Sequence, residues 1–432
     1  MKTFFFIILI AGIGNTVLRT EIEDPVTLYR LLAPLGLIAV FSLRPMFVLK
    51  ALGFYLVFFA YNFVLATAYG GDYSQFFPSI VHYLYIFTLL ILFVHMRQSH
   101  ADFDASFIQF VRVFYVFLLA NLVVEMAFGS GTLYPNIYVD ESDEKQVRAF
   151  FWNQNDLAVV LCIVAWMALT LDRFRGPTRI FVVVVTIFLL YYNDSKAALI
   201  SFLFISLPVG AVFRICAAAR ISPRVWFGIF SMAAFSALAV TFILSDIEIA
   251  FANDTYTLGD LLIGPIGNIF ALQSSGADLG SINNRTDAAI FDIIEYLRTF
   301  GFGLGAGGSW LVLTLPQYEL GGAKSPHNAL LQFVVDFGYP VLLGYLYLVF
   351  WAVRKLFTYR ASQSERLKVM AILSFPMLGL SQSGAIVTNY FFWAAVFFIA
   401  LFGGERVPVR RRAARARAAP ASSPPAAQAA FG

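Results

Sequence analysis

The sequence predicts an all-α polytopic integral membrane protein, with about twelve transmembrane helices and one large outer loop between the ninth and the tenth. Three observations carry this. The 432 residues are 59% hydrophobic and 13% charged, with a mean hydropathy of +0.75, which is not the balance of a soluble domain. Apolar runs of roughly 17–25 residues, enough to cross a bilayer as a helix, recur along the chain. Lysine and arginine crowd alternate connections and are sparse in the others, as the positive-inside rule requires.

The spans fall near residues 3–19, 28–43, 46–67, 76–96, 106–128, 156–172, 179–193, 196–214, 225–245, 328–353, 366–383 and 387–403. The first reads as a span and not a cleaved signal, because it has no convincing small-residue cleavage site and further spans follow at once. With Met1 inside, the inner connections hold Lys2, Arg44, Lys50, Arg97, Arg173, Arg175, Arg179, Arg214, Arg220, Arg224, Arg354, Lys355, Arg360, Arg366 and Lys368. The outer ones hold Arg19, Arg30, Lys145, Arg148, Lys196, Arg285, Arg298 and Lys324 among many acids. Both termini are therefore expected inside. The chain divides into helices one to nine (1–245), a large outer loop with short helices (246–326), helices ten to twelve (327–404) and a basic, Ala/Pro/Ser-rich tail (405–432) expected to be disordered.

The two cysteines, Cys162 and Cys216, lie within or at the inner end of spans, so neither a disulfide framework nor a thiolate metal site is expected. The net charge of +4 reflects the tail and inner loops. It suits anionic membrane lipids and gives no reason to expect nucleic acid.

Taken in order, the first five spans carry few polar residues and read as scaffold. The outer segment from Gly129 holds a solvated acidic run, Asp140 to Glu144, and ends in WNQND. Asn153, Gln154, Asn155 and Asp156 there crowd amides and a carboxylate at the mouth of a span; helix capping and the lining of a sugar site both remain open. In YYNDSK, the Lys196 ammonium either snorkels to the outer surface or points into a polar cavity.

Within the large loop, Asp246 to Ser275 is mildly apolar, with FANDTY as a turn and LGDLLIGPIGNIFAL as a possible surface helix. Residues 285–300 read as a helix that buries Ala289, Ile293, Tyr296, Leu297 and Phe300. Arg285 in its first turn opposes the helix macrodipole, so another partner is expected for it. Glycines 301, 303, 305, 307 and 308 give a flexible backbone that can approach a ligand closely. A nucleotide loop is not expected, because the preceding strand and the Lys-Ser/Thr pair are missing. Ser325 then reads as a helix cap, Pro326 as the first helical residue, and His327 with Asn328 as the first turn. An imidazole beside a helix N-terminus stays neutral and lies next to an anion site, which suits a general base.

Lys196, Arg285 and His327 all fall on the outer side. Two cations and a neutral base, with no Asp-x-Asp and no His/Cys ligand spacing, suit an anionic leaving group such as a lipid diphosphate, with fixed positive charge in place of a metal or other cofactor.

The string His327, Asn328, nine residues, Gly338 resembles the H-N-x9-G signature of the O-antigen ligase and Wzy-type polysaccharide polymerase family. The loop arginine, the glycine-rich stretch, Asn153 with Asn155, and Ser195–Lys196 follow the family's order, and the resemblance covers Phe151 to Tyr345. Family members commonly carry arginine where this chain has Lys196, so a bidentate fork becomes a point charge. The resemblance implies a GT-C-like glycosyltransferase of the bacterial inner membrane, with a periplasmic active site. It would act on undecaprenyl-diphosphate-linked oligosaccharide without metal or cofactor, alongside other polysaccharide assembly proteins. It implies His327 as base on the acceptor hydroxyl, Arg285 and Lys196 on the diphosphate, and Asn328, Asn155 and Asn153 positioning substrate. A polymerase joining repeat units into exopolysaccharide or O-antigen is preferred, because nothing marks a core acceptor site. The alternatives are a ligase acting on lipid A core, and a transporter or flippase of lipid-linked sugars. Transporters usually show inverted repeats and midplane charges, whereas these charges gather at one mouth.

Overall fold

The computed structural model describes residues 1–13, 27–69, 73–129, 132–133, 147–151, 154–174, 176–193, 195–219, 225, 228, 232, 248–251, 254–257, 281–312, 328–356, 361–379 and 389–404. Among these the elements are α1 (Lys2–Ile13), α2 (Leu28–Leu43), α3 (Pro45–Ala68), α4 (Tyr73–Ser99), α5 (Phe103–Phe128), α6 (Gln154–Thr170) and α7 (Gly176–Tyr192). Helix α8 (Lys196–Ser201) runs through a π turn (Phe202–Ser206) into α9 (Leu207–Ala219). A short antiparallel hairpin, β1 (Glu248–Phe251) and β2 (Asp254–Thr257), turns where FANDTY predicts. Then come α10 (Ser281–Arg298), α11 (Gly308–Val312), α12 (Ala329–Phe337), α13 (Tyr339–Leu356), α14 (Gln363–Gly379) and α15 (Tyr390–Leu401).

Helices α3, α4, α5 and the run Ala197–Arg214 are each long and apolar enough to cross a membrane, and α1, α2, α6, α7 and α15 are shorter apolar helices. The expected span 28–43 coincides with α2, and the neighbouring spans agree within a few residues. Apart from residues 225, 228 and 232, the expected ninth span lies outside the described residues, as does the tail.

Local sequence explains the helix starts. Pro45 opens α3 at a position where its missing N–H is no loss. The Thr27 hydroxyl caps α2 by accepting from Arg30 N at 3.3 Å. Helix α6, apolar on every side, is buried from Asp156 to Thr170 and stands at the centre of the bundle. Around it, aromatic pairs tie the first helices to the last: Tyr29 stacks on Tyr390 (3.8 Å between centroids), Phe114 on Phe391 (4.7 Å) and Phe107 on Phe398 (4.8 Å).

One end of the bundle is charged. There Arg97 pairs with Asp104 (3.1 Å) and donates to Gly404 O (3.0 Å), Lys355 meets Glu365 (2.5 Å), Lys2 meets Asp102, and Gln363 meets Asp172. These basic residues are among those the charge asymmetry assigns to the inner side.

Two expectations are corrected. Residues 328–353 do not form one helix: the backbone breaks at Gly338 between α12 and α13. The loop helix begins at Ser281, so Arg285 sits in its second turn, and of the face expected to be buried Ala289, Ile293 and Tyr296 are only half-buried while Leu297 and Phe300 are exposed. Leu297 is 58% exposed and Phe300 79%, while Ala288, Asp292, Glu295 and Thr299 are buried. Periodicity locates an apolar stripe but not what it faces; in a membrane protein lipid can take that side.

Candidate functional site

The site is built around the break at Gly338. Helix α12 holds nine residues between two caps. Asn328 opens it in an extended conformation (φ −142°, ψ 100°), its Oδ1 accepting from Leu331 N at 3.0 Å. Gly338 closes it at φ 69°, ψ −151°, its N–H donating to Val334 O at 2.8 Å. The sequence reading had Ser325 as cap and Asn328 within the first turn; the helix instead starts one residue after Asn328, whose short amide bonds the exposed backbone N–H of the first turn. Asn328→Ala is expected to cost roughly 1 kcal/mol of stability and Asn328→Asp almost nothing, as thermal unfolding of the purified protein would measure.

Against the break lies the glycine-rich segment, held by backbone bonds: Tyr339 N donates to Gly301 O (2.9 Å), Leu304 N to Val335 O (2.8 Å) and Gly305 N to Asp336 O (2.9 Å). The Asp336 carboxylate accepts from Ser309 N (2.8 Å) and Gly307 N (3.3 Å). The Tyr61 hydroxyl lies 3.1 Å from both Phe302 O and Phe337 O and ties loop and break to α3. A Cβ at Gly303 would stand 2.7 Å from Gly338 N, at Gly305 2.7 Å from Asn62 O, and at Gly307 2.8 Å from Gln75 O. The glycines therefore serve protein packing and not a flexible approach to a ligand: three helices leave no room for a side chain.

Three backbones meet at the end of the bundle opposite the charged one. Helices α10 and α12 pack together with their C-terminal ends joined at Gly301–Tyr339. Asp292 lies close enough to Asp336 across that packing to feel its charge. Residue 285 lies seven residues before Asp292 on α10, and residue 328 eight before Asp336 at the start of α12.

Helices α9 and α14 are antiparallel: the Arg366 guanidinium lies over the Phe213 ring (6.0 Å), and Ser206 Oγ meets Ser374 Oγ (2.9 Å). Ser201 Oγ donates to Ser374 O (3.1 Å). Five residues from Ser201 to Lys196, and five from Ser374 to Gly379, are each about 7.5 Å of helix, so residue 196 is level with Gly379. A Cβ at Gly379 would lie 3.7 Å from Asn328 Oδ1.

His327, Asn153, Ser325 and Pro326 lie outside the described residues. Lys196 opens α8 and Arg285 lies within α10; both are described by their backbone alone. Asn155 is half-buried in the first turn of α6 beside the buried Asp156.

Sequence reasoning missed four residues. Glu125, near the end of α5, accepts through Oε2 from Arg148 N (3.1 Å) and Ala149 N (2.8 Å). Asn193 Oδ1 accepts from Val147 N (3.0 Å), tying the segment before the NQND stretch to the turn before Lys196. A lone acid near the end of an apolar span was the signal for Glu125. Asp336 anchors the glycine segment. Asp292 is fully buried with both carboxylate oxygens unbonded, and burial, then the charge of Asp336, push its carboxyl well above the usual range.

Residues 181–346 match the model of a family described as O-antigen ligase, a stretch that takes in α8, α10, α12 and the glycine segment. A curated relative, the teichuronic acid biosynthesis protein TuaE of Bacillus subtilis (strain 168), is 22% identical over 324 residues. The aligned region covers 71% of this chain and 62% of that protein, so the chain spans less than two thirds of its relative's length. Over residues 181–346, the chain is thus similar to the O-antigen ligase family.

Proposed function

We propose that the protein is a membrane glycosyltransferase of polysaccharide assembly, a Wzy-type polymerase that joins lipid-diphosphate-linked oligosaccharide repeats on the periplasmic side of the inner membrane. The acceptor hydroxyl attacks the anomeric carbon of the donor glycan. His327 takes the hydroxyl proton, the bond from the anomeric carbon to the diphosphate oxygen breaks, and the lipid diphosphate leaves against the positive charges of Arg285 and Lys196. Asn328, Asn155 and Asn153 position the sugars. Fixed cations hold the leaving group in this scheme, without metal or cofactor. The observation that carries the reading is that the helix starting after Asn328, the helix containing residue 285 and the turn entering residue 196 meet at one end of the bundle, within the region of the family match.

The family's description favours a second reading, a ligase that moves the glycan to lipid A core. Reconstituted protein given a defined lipid-diphosphate oligosaccharide separates the two. A ladder longer than the input supports polymerase, transfer only onto added lipid A core supports ligase, and no transfer to either overturns both.

Lys196→Arg is expected to keep transfer activity. Lys196→Ala is expected to lower it roughly ten- to a hundredfold, the scale of one hydrogen bond to a charged group, about 1.5–3 kcal/mol. Undiminished transfer in both variants would make Lys196 a surface anchor.

A further inference from the structure

The contact between α10 and α12 is polar where helix packing is normally apolar. The stripe Ala288, Asp292, Glu295, Thr299 of α10 is buried, and Gln332 and Asp336 on α12 are buried one turn apart. Asp292 and Asp336 are both 0% exposed. Burial raises the Asp336 carboxyl, and the N–H groups of Gly307 and Ser309, which donate to it, work the other way and favour its ionised form. Among the described residues, nothing hydrogen-bonds to either oxygen of Asp292.

Among the described residues, the other titratable groups around the pair bring no positive charge to it. Tyr83 of α4 is buried against Asp336, and Tyr296 of α10 packs on Tyr339 of α13 at 6.1 Å. Glu295 of α10 is paired with Arg298 at 2.6 Å. Among the described residues no cation is paired with Asp292. Two carboxylate charges side by side in a dry contact are far costlier than one charge and one neutral acid.

We propose that Asp292 is a positioning residue that stands in this contact as a neutral carboxylic acid, its proton allowing α10, which carries residue 285, to lie on α12, which starts after Asn328. This deepens the glycosyltransferase reading and rests on it for the consequence in catalysis. Ionising Asp292 sets a second negative charge against Asp336 and loosens the helix that carries residue 285 from the helix that starts after Asn328.

The linkage has a definite sign. Below the ordinary carboxylate pKa the acid is protonated in both folded and unfolded chains, and its contribution to stability is complete. As pH rises, the unfolded chain ionises first, and the folded-to-unfolded ratio falls by about tenfold per pH unit until the folded acid ionises too.

The test uses the purified full-length protein. Wild type should show an infrared band of a protonated carboxylic acid that is lost in Asp292→Asn. In that variant the fall in thermal stability on going from acidic to neutral pH should be shallower, and the alkaline limb of transfer activity should move to higher pH. Asp336→Asn, which removes the neighbouring charge, should make the Asp292 band titrate at lower pH, and this answers even if Asp292→Asn folds poorly. A wild type without the band, or an Asp292→Asn variant with the wild-type stability slope, overturns the proposal. An alkaline limb unmoved in a folded Asp292→Asn overturns the positioning role. A protein with the expected band and slope that transfers no glycan retires the glycosyltransferase reading and leaves the protonated contact standing.

Discussion

His327→Ala lowers glycan transfer by roughly 10²–10⁴-fold, the contribution expected of a positioned general base, while the protein still inserts and folds. The fold should tolerate the change because, among the described residues, α12 is fixed at both ends by other groups. Helix α12 is capped by Asn328, and its far end is fixed by Gly338 and by the glycine segment bonded to Val335 and Asp336. An acceptor hydroxyl ionises far above neutral pH, so its proton has to leave as the glycosidic bond forms. A neutral imidazole beside a helix N-terminus is suited to receive it. The acid limb of the activity profile should disappear with the side chain. Arg285→Ala should reach a comparable loss by a different route, through the leaving diphosphate, and a donor with a better leaving group should rescue Arg285→Ala more than His327→Ala. Transfer by the folded His327→Ala protein within about twofold of wild type, against the hundredfold minimum expected of a base, would remove the mechanism.

What could be read from the sequence follows from what hydrophobicity reports. Span 28–43 was legible because a run of apolar residues between a threonine cap and Arg44 has one reading in any membrane protein. Helix α10 was legible as a helix but not in orientation: the same period that picks out Leu297 and Phe300 also picks out Asp292 and Thr299 on the other side. Which side is buried depends on α12, some forty residues away. Span 328–353 was read as continuous because Gly338 followed by Tyr339 and Pro340 does not interrupt hydropathy. The break needs the loop from Gly301 to be visible, since that loop bonds to the carbonyls of Val335 and Asp336. For the candidate site, the motif marked positions along the chain, but Asp292, Glu125 and Asn193 act through backbone groups or neighbours that no spacing rule connects.

The spacing of the His-Asn-x9-Gly string has a physical reading in this fold, and it carries the second large prediction. The nine intervening residues are α12 itself, Asn328 is its cap, and Gly338 is where the chain must leave it. At φ 69° and ψ −151°, Gly338 occupies a region essentially confined to glycine. A Cβ there would stand 2.1 Å from Phe302 O and 2.6 Å from Gly301 O, and both are backbone atoms that cannot swing aside. Gly338→Ala therefore combines backbone strain of about 1–3 kcal/mol with an overlap of similar size. The sum, about 2–6 kcal/mol, is a large fraction of the whole stability of many proteins, about 5–15 kcal/mol. The variant should be recovered in low yield, with transfer activity lost in proportion to folded protein. Gly344→Ala, two turns further along α13, is the matched control: a Cβ there meets nothing within 4 Å, so yield and activity should be unchanged or slightly raised. If Gly338→Ala kept the yield of Gly344→Ala but lost transfer activity, the glycine of the signature would have to act on substrate and not on the path of the chain.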